Sequence, residues 1–294
     1  MPIKILVLGS SGRLGNAIYK SASSKRTFII YSTGLKKRNF NLSTLESIKN
    51  LIIKTKPDVI INCIALTNID LCEKLKKECK KINYFFVKKI CYAIENLKSI
   101  KKIVLIHFST DQFYDNINYI TNNEKSKKLV AYNYYTKCKL MADNYLNKKN
   151  YCMILRTNFF GKSYKGNLLS DWVYKSIQKK KKIILLHDIN FSPLRLDTLS
   201  KIITKILLGR KFFKGIYNLG SKGGISKSNF AKMISKTLNK KLFFEEKSSD
   251  NFFKVKRPKN MIMNVSKFEK KFEINLPNTK QEIKLEIKSN YERN

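Results

Sequence analysis

The stretch Ile3-Lys4-Ile5-Leu6-Val7-Leu8-Gly9-Ser10-Ser11-Gly12-Arg13-Leu14-Gly15 decides the fold class. Ile3–Leu8 reads as a buried strand, and three glycines follow it within seven residues, in a chain that has only 11. A dinucleotide requires such a segment. The first glycine makes a tight turn, the second lets the backbone approach the pyrophosphate, and the third lets the next helix pack against the strand. Amides at the start of that helix then face the phosphates. The spacing is GxxGxxG rather than GxGxxG. Gly9, Ser11, Gly12, Arg13, Leu14 and Gly15 are the first candidate cofactor-binding residues.

Working outward, short apolar runs alternate with helical stretches. Strands are expected at 27–31, 58–65 (DVIINCIA), 102–108 and 151–155. Helices are expected from Ser43, where Ser43-Thr44-Leu45-Glu46 reads as a capping box, and over 71–96 and 134–146. This alternation implies α/β architecture, a doubly wound parallel sheet with helices on both faces. Further along, Ile183–Leu186 reads as a returning strand with a helix over 197–208. A strand at GIYNLG, a helix over 229–238 and a strand over 241–245 follow. The 294 residues suffice for two joined domains. The expected organisation is an NAD(P)-binding Rossmann domain at 1–161 with a returning segment at 183–208. A smaller α/β substrate-binding lobe would occupy 209–294, with 162–182 contributing.

Sixty Lys and Arg against 21 Asp and Glu give a formal net charge of +39, which points first to nucleic acid. Only eight of those sixty are Arg, however, and the guanidinium fork is the group best suited to phosphates and base edges. Lys, Asn, Ile, Phe and Tyr, with AT-rich codons, are abundant, whereas Gly, Pro and Trp are scarce. The charge is therefore read as compositional background, and no nucleic-acid partner is expected. An apolar fraction of 43% with 12% aromatic residues excludes a disordered basic tail. Six cysteines without a CxxC pair, and two histidines, provide no zinc-ligand spacing, so reduced thiols and no metal are expected. His107 and His187 read as core or rim histidines. No run approaches the length of a membrane span, so a soluble, cytoplasmic protein without membrane insertion is expected. A homodimer stays open.

The second chemical motif is Tyr135-Thr136-Lys137-Cys138-Lys139, a YxxxK on an expected helix. Spacing of four puts phenol and ammonium on one helix face. A phenol titrates near 10, so proton transfer near neutrality needs a positive charge beside it, which Lys139 can supply. Tyr132 and Tyr134 are adjacent rivals. The preceding strand ends Phe108-Ser109-Thr110-Asp111, placing hydroxyls at the carboxyl edge of the sheet, where α/β folds bind ligands. Thr110 is placed to hydrogen-bond a substrate carbonyl. After the second strand no carboxylate guards the adenosine ribose, and Lys36, Lys37 and Arg38 follow. NADPH is thus favoured, with NADH possible.

These segments resemble the dTDP-4-dehydrorhamnose reductase family of extended short-chain dehydrogenases/reductases. The resemblance runs through KPDVIINCIALTNIDLCEK (56–74), FSTDQFYD (108–115), YTKCKLMAD (135–143) and ILRTNFFG (154–161). It continues in GIYNLGSKGGISKSNFAKMI (215–234) and RPKNMIMNVSKFEKKFEINLP (257–277). It implies hydride delivery from NAD(P)H to the C4 ketone of a dTDP-4-dehydro-6-deoxyhexose, in the synthesis of dTDP-rhamnose or a related sugar for surface polysaccharide. It also implies a catalytic trio of Thr110, Tyr135 and Lys139. The cofactor would additionally be lined by Asn41, Leu42, Cys63, Ile64 and Ala65, and the dTDP-sugar substrate by Thr67, Thr110, Gln112, Phe159 and Arg257. Arg257 reads equally as a diphosphate partner or as an anchor of its lobe. Gln112 stands where the family has Tyr, Phe159 where it has Trp, and Asn41 where it often has Asp. The stretch Asp188-Ile189-Asn190-Phe191-Ser192-Pro193 departs as well.

Three other readings share parts of this pattern. A nucleotide-sugar dehydratase needs Thr-Asp-Glu, and here Thr110-Asp111-Gln112 ends in an amide that cannot serve as acid or base. An epimerase uses the same trio. A non-catalytic reductase-like regulatory subunit would have no need of the trio.

Overall fold

The run Ile3–Leu8 forms a strand that is buried on both faces, because side chains alternate across a strand and every second one still meets apolar neighbours. Leu6 and Leu8 join a core with Ile48, Leu51, Ile60, Phe86, Ile90, Leu105 and Ile154. Ile5 and Val7 are likewise fully buried, as are Ile18 and Ala22 of the helix Arg13–Ser23. The computed structural model describes residues 1–33, 36–37, 40–41, 44–97, 102–116, 121–126, 128–162, 168–250 and 252–291.

The central sheet has six strands. In spatial order they are Gly215–Leu219, Cys152–Thr157, Val104–Thr110, Val59–Asn62, Ile3–Leu8 and Phe28–Thr33. Ile3–Leu8 pairs in parallel with Phe28–Thr33 and with Val59–Asn62, and Val59–Asn62 pairs in parallel with Val104–Thr110. After its second strand the chain therefore crosses to the other side of the first. That reversal leaves a switch point between the carboxyl ends of Ile3–Leu8 and Val59–Asn62, the place where open α/β sheets take ligands. This is the doubly wound α/β fold expected from the alternation of apolar runs.

Two local expectations change. The helix Leu45–Thr55 is capped by Thr44, whose side chain accepts from the Ser47 amide, rather than by the expected Ser43, which lies outside the described residues. The single helix expected over 71–96 is broken into Ile69–Lys74, Lys76–Lys80, a π-helical turn Lys81–Phe85 and Phe86–Asn96. The wide turn has a cause outside the helix. Asn83, buried within it, accepts from the Leu66 amide at 2.9 Å and donates to the Leu66 carbonyl at 2.9 Å. One inserted residue turns this polar side chain back onto the loop that follows Val59–Asn62.

The chain divides into two units, the first comprising Met1–Ser109, Asn133–Leu155 and Ser200–Ile216. The second comprises Thr110–Tyr132, Arg156–Leu199 and Tyr217–Asn294. Its core gathers Val173, Ile177, Leu185, Phe191, Phe230, Met261 and Ile283. Ile183–Leu186 pairs there in parallel with Phe244–Lys247, and Asn190–Phe191 lies between Ile225–Ser226 and Asn260–Met261. The six cysteines are free thiols. Among the described residues no helix is long and apolar enough to cross a membrane, and no group of three or more His, Cys, Asp or Glu side chains could hold a metal ion.

Candidate active site

In the first unit, the glycine loop closes on itself and on the switch point. The Gly9 amide donates to the Thr33 carbonyl at 2.7 Å, and the Gly12 amide donates back to the Gly9 carbonyl at 2.8 Å. Gly9 has φ +89°, and a Cβ there would lie 3.0 Å from the Ile64 nitrogen and 3.1 Å from the Cys63 carbonyl carbon. Gly15 is tighter, since a Cβ on it would sit 2.7 Å from the Gly9 carbonyl carbon. The loop, Cys63 and Ile64 thus form one wall with no room for side chains at the glycines. The helix Arg13–Ser23 begins at Gly12 with no side-chain cap and no acidic residue in its first turn. Its N-terminal dipole and amides are left to an anion, so these residues fit a dinucleotide pyrophosphate. Ala65 is half-buried beside Ile64, while Thr67 is exposed ahead of the helix Ile69–Lys74. Asn41 lies in the strand Phe40–Asn41, paired with Lys36–Lys37, and Leu42 and Arg38 lie outside the described residues.

Also in the first unit, the helix Tyr134–Asn147 starts with a buried capping box. Asn133 accepts from the Thr136 amide at 3.0 Å, and the Thr136 hydroxyl accepts from the Asn133 amide at 3.3 Å. This fixes the turn that carries Tyr135, which is 7% exposed. The neighbouring Tyr134 is engaged elsewhere: its amide donates to Glu73 and its ring lies near the Lys76 ammonium. Lys139, one turn beyond Tyr135, is only 1% exposed. Its Nζ donates to the Phe108 carbonyl at 2.7 Å and lies 3.1 Å from His107 Nε2. Burial pulls the Lys139 ammonium down to about 8, while Asp143 and Cys63 act in the opposite direction. His107, fully buried beside this lysine, is held well below the usual imidazole range. Desolvation is the larger cause and the lysine charge the second.

In the second unit, Thr110 opens a polar cluster. Its hydroxyl accepts from the Gln112 amide at 3.3 Å. Asp111 is 1% exposed and accepts from Asn158 Nδ2 at 2.8 Å. Burial pushes Asp111 up to about 6, against the pull of Asn158 and of the Lys227 charge. Gln112 Oε1 is buried without a hydrogen-bond partner, so it can accept from a ligand. Phe159 lies in the short strand Phe159–Phe160, paired with Leu194–Arg195. Arg257 and Lys227 line a cleft of about 420 Å³ together with Trp172, Phe252 and Phe253. Burial lowers the Lys227 ammonium to about 8, the nearby Arg257 acting the same way and Asp111 opposing. Two cations walled by aromatic rings suit an anionic group attached to a planar base.

Four residues of these two clusters carry no sequence signal of their own. Asn62 and His107 are partners in the parallel register of their strands, a relation visible only once the strands are paired. Asn158 and Lys227 are separated from Asp111 by 47 and 116 positions.

A glycine loop at the switch point of a doubly wound sheet, with a Tyr/Lys pair on a capped helix, defines a dinucleotide-binding protein of the short-chain dehydrogenase/reductase class. More specifically, residues 3–291 match the family described as RmlD substrate binding domain, and the chain belongs to that family. A curated relative, dTDP-4-dehydrorhamnose reductase of Salmonella typhimurium, is 22% identical across 94% of each chain. Two solved structures share the fold. The dTDP-4-dehydrorhamnose reductase of Bacillus anthracis, solved in complex with NADP, superposes with a TM-score of 0.87 at 20% identity, covering 98% of this chain and 99% of that one. The dTDP-4-dehydrorhamnose reductase of Clostridium acetobutylicum has a TM-score of 0.86 at 22% identity, covering 97% and 99%.

Proposed function

We propose that the protein is an NAD(P)H-dependent oxidoreductase that reduces the C4 ketone of a dTDP-4-dehydro-6-deoxyhexose, with NADPH as the preferred reductant. The observation that carries this reading is the pair Tyr135 and Lys139, one turn apart on a helix whose first turn is pinned by a buried capping box. The naming of the curated relatives supports it. So does the bound NADP in the Bacillus anthracis structure. Gln112 argues against a dehydratase, which needs a carboxyl group at that position.

In this mechanism Gly9, Gly12 and Gly15 let backbone amides meet the pyrophosphate. When bound, NADPH supplies the hydride that adds to C4. Tyr135 gives its hydroxyl proton to the C4 oxygen, completing the alcohol. Thr110 supplies a hydroxyl that can polarise a substrate carbonyl. Lys139 stands one turn from Tyr135 and governs the proton held on its phenol. Lys227 and Arg257 neutralise the diphosphate of the substrate, and Phe252, Phe253 and Trp172 offer faces for the base.

The test is NADPH oxidation by the purified protein with dTDP-4-dehydro-6-deoxyglucose and the preceding 3,5-epimerase. Turnover is expected, and Tyr135→Phe should lower kcat by about 10²–10⁴-fold while leaving NADPH binding intact. A protein that binds NADPH yet turns over no 4-keto nucleotide sugar overturns the proposal.

A further inference from the structure

Two short strand pairs of the second unit are joined by links of very unequal length. Ile183–Leu186 pairs with Phe244–Lys247, and Asn190–Phe191 pairs with Asn260–Met261, both in parallel. Residues 187–189 join the pairs on one side, and residues 248–259 join them on the other. The links run together at their ends. The His187 amide donates to the Lys247 carbonyl at 3.2 Å, and the Asn190 amide donates to the Lys259 carbonyl at 2.7 Å. The long link therefore has chain to spare, and it carries Phe252, Phe253 and Arg257 to the cleft of about 420 Å³.

Asp188, in the middle of the short link, fastens both roots of the long one. At the first root the Ser249 amide donates to Asp188 Oδ1 at 2.8 Å, and the Ser249 hydroxyl donates to Oδ2 at 2.9 Å. At the second root Lys259 Nζ lies 3.0 Å from Asp188 Oδ2. Lys259 also reaches Asp250 at 2.7 Å, and its amide, like that of Asn260, donates to Asp115 Oδ1. Partial burial acts to raise the Asp188 carboxyl, but Lys259, Ser249 and Ser248 hold it down to about 2, so it is charged near neutrality. The tie has repulsion to contain, since the long link holds Lys254, Lys256, Arg257 and Lys259 against Asp250 alone. Its cleft side chains form one unit. The Arg257 guanidinium lies 4.0 Å from the Phe253 ring centre, and the Phe252 and Phe253 rings meet edge to face at 5.0 Å.

We propose that Asp188 is a positioning residue for the nucleotide end of the substrate: by fastening both roots of 248–259, it holds Phe252, Phe253 and Arg257 as a ready-made wall for a nucleoside diphosphate. The inference rests on the nucleotide role proposed for this cleft and deepens it. A wall ordered before binding removes the cost of immobilising those side chains when the ligand arrives. An asparagine at 188 keeps an oxygen for the Ser249 amide, but its NH₂ can only donate and cannot meet the Lys259 ammonium. Asp188→Asn thus releases the second root and keeps the first. Lys259→Met releases the same root from the other side, at a partly exposed position, and is read independently of how well Asp188→Asn folds.

The chain has one tryptophan, Trp172, and it lines the same cleft, so its emission reports dTDP binding in the full chain. Asp188→Asn and Lys259→Met should each weaken dTDP binding about 10–100-fold, with NADPH affinity within about two-fold of wild type. The double variant should bind no more weakly than the weaker single one, because both break one tie. In turnover with dTDP-4-dehydro-6-deoxyglucose and the 3,5-epimerase, KM should rise by a similar factor with kcat little changed. Without any ligand, trypsin should cut after the exposed Lys254 or Lys256 faster in both variants than in wild type, as read by mass spectrometry. Wild-type dTDP affinity in both single variants, additive losses in the double variant, or unchanged cleavage overturns the role of Asp188. A wild type that binds no dTDP overturns the nucleotide reading of the cleft and this proposal with it, so the wild type alone tells the two failures apart.

Discussion

Replacing Gly15 by alanine tests the dinucleotide loop at its tightest point. A Cβ on Gly15 would lie 2.7 Å from the Gly9 carbonyl carbon and 3.0 Å from the Ser10 nitrogen, both backbone atoms that cannot rotate away. Nonbonded carbon atoms sit comfortably at about 3.5–4.0 Å, so the first turn of Arg13–Ser23 must part from the loop by about 0.5–1 Å. Overpacking of this kind costs about 1–3 kcal/mol, which for a chain of this size lowers Tm by about 2–5 °C. The same displacement misaligns the amides that would meet the pyrophosphate, and an error near 1 Å at a site of this kind costs about 10²-fold. The expected result is therefore a joint loss: lower Tm and NADPH affinity down by one to two orders of magnitude, measured by thermal unfolding and fluorescence titration. Gly209→Ala is the matched control. A Cβ there meets nothing nearer than 3.5 Å and φ is not positive, so alanine should be neutral or stabilising by about 0.4–1 kcal/mol through the unfolded chain. If Gly15→Ala binds NADPH as wild type does and melts at the same temperature, the close approach of helix to loop is not what shapes this site.

Three further outcomes follow from the same geometry. Lys139→Met should abolish reduction and change the pH dependence of stability. The folded pKa of about 8 lies below the ordinary lysine value, so the burden of burying the charge is present below pH 8 and is relieved as pH rises towards 10.5. The stability difference between variant and wild type should therefore move towards wild type by about 2–3 kcal/mol between pH 7 and 10, and a flat difference in denaturant titrations would refute it. Asn133→Ala removes the cap of Tyr134–Asn147 and should cost about 1–2 kcal/mol, read as a lower Tm with a fall in kcat at unchanged NADPH affinity. Lys227→Met and Arg257→Met should each weaken dTDP binding about 10–100-fold, measured by calorimetry, with NADPH affinity retained.

What could be read in advance was whatever chemistry is written locally along the chain. Gly9, Gly12 and Gly15 stand out because glycine is scarce and because they follow an apolar run. The π-helical turn at Lys81–Phe85 was not legible, since its cause is the pair of hydrogen bonds between the Asn83 side chain and the Leu66 backbone, across 17 positions. Nor was the cap at Thr44, because Ser43 and Thr44 offer equivalent hydroxyls and only backbone geometry chooses between them.

Lysine shows the limit most clearly. With fifty-two in the sequence, identity carries almost no information, and a solvated lysine coat is the right expectation for most of them. Lys139 was recoverable because its spacing from Tyr135 is a helical turn. Lys227 was not, although its position is just as special electrostatically, for its partner Asp111 belongs to a distant segment. Desolvation is what separates these two from the exposed majority: the penalty falls on the charged form only where water is excluded, and exclusion is a property of the whole fold. The same reasoning applies to His107. A histidine inside an apolar strand is rightly expected to be a neutral core residue, and in this chain it is neutral and buried.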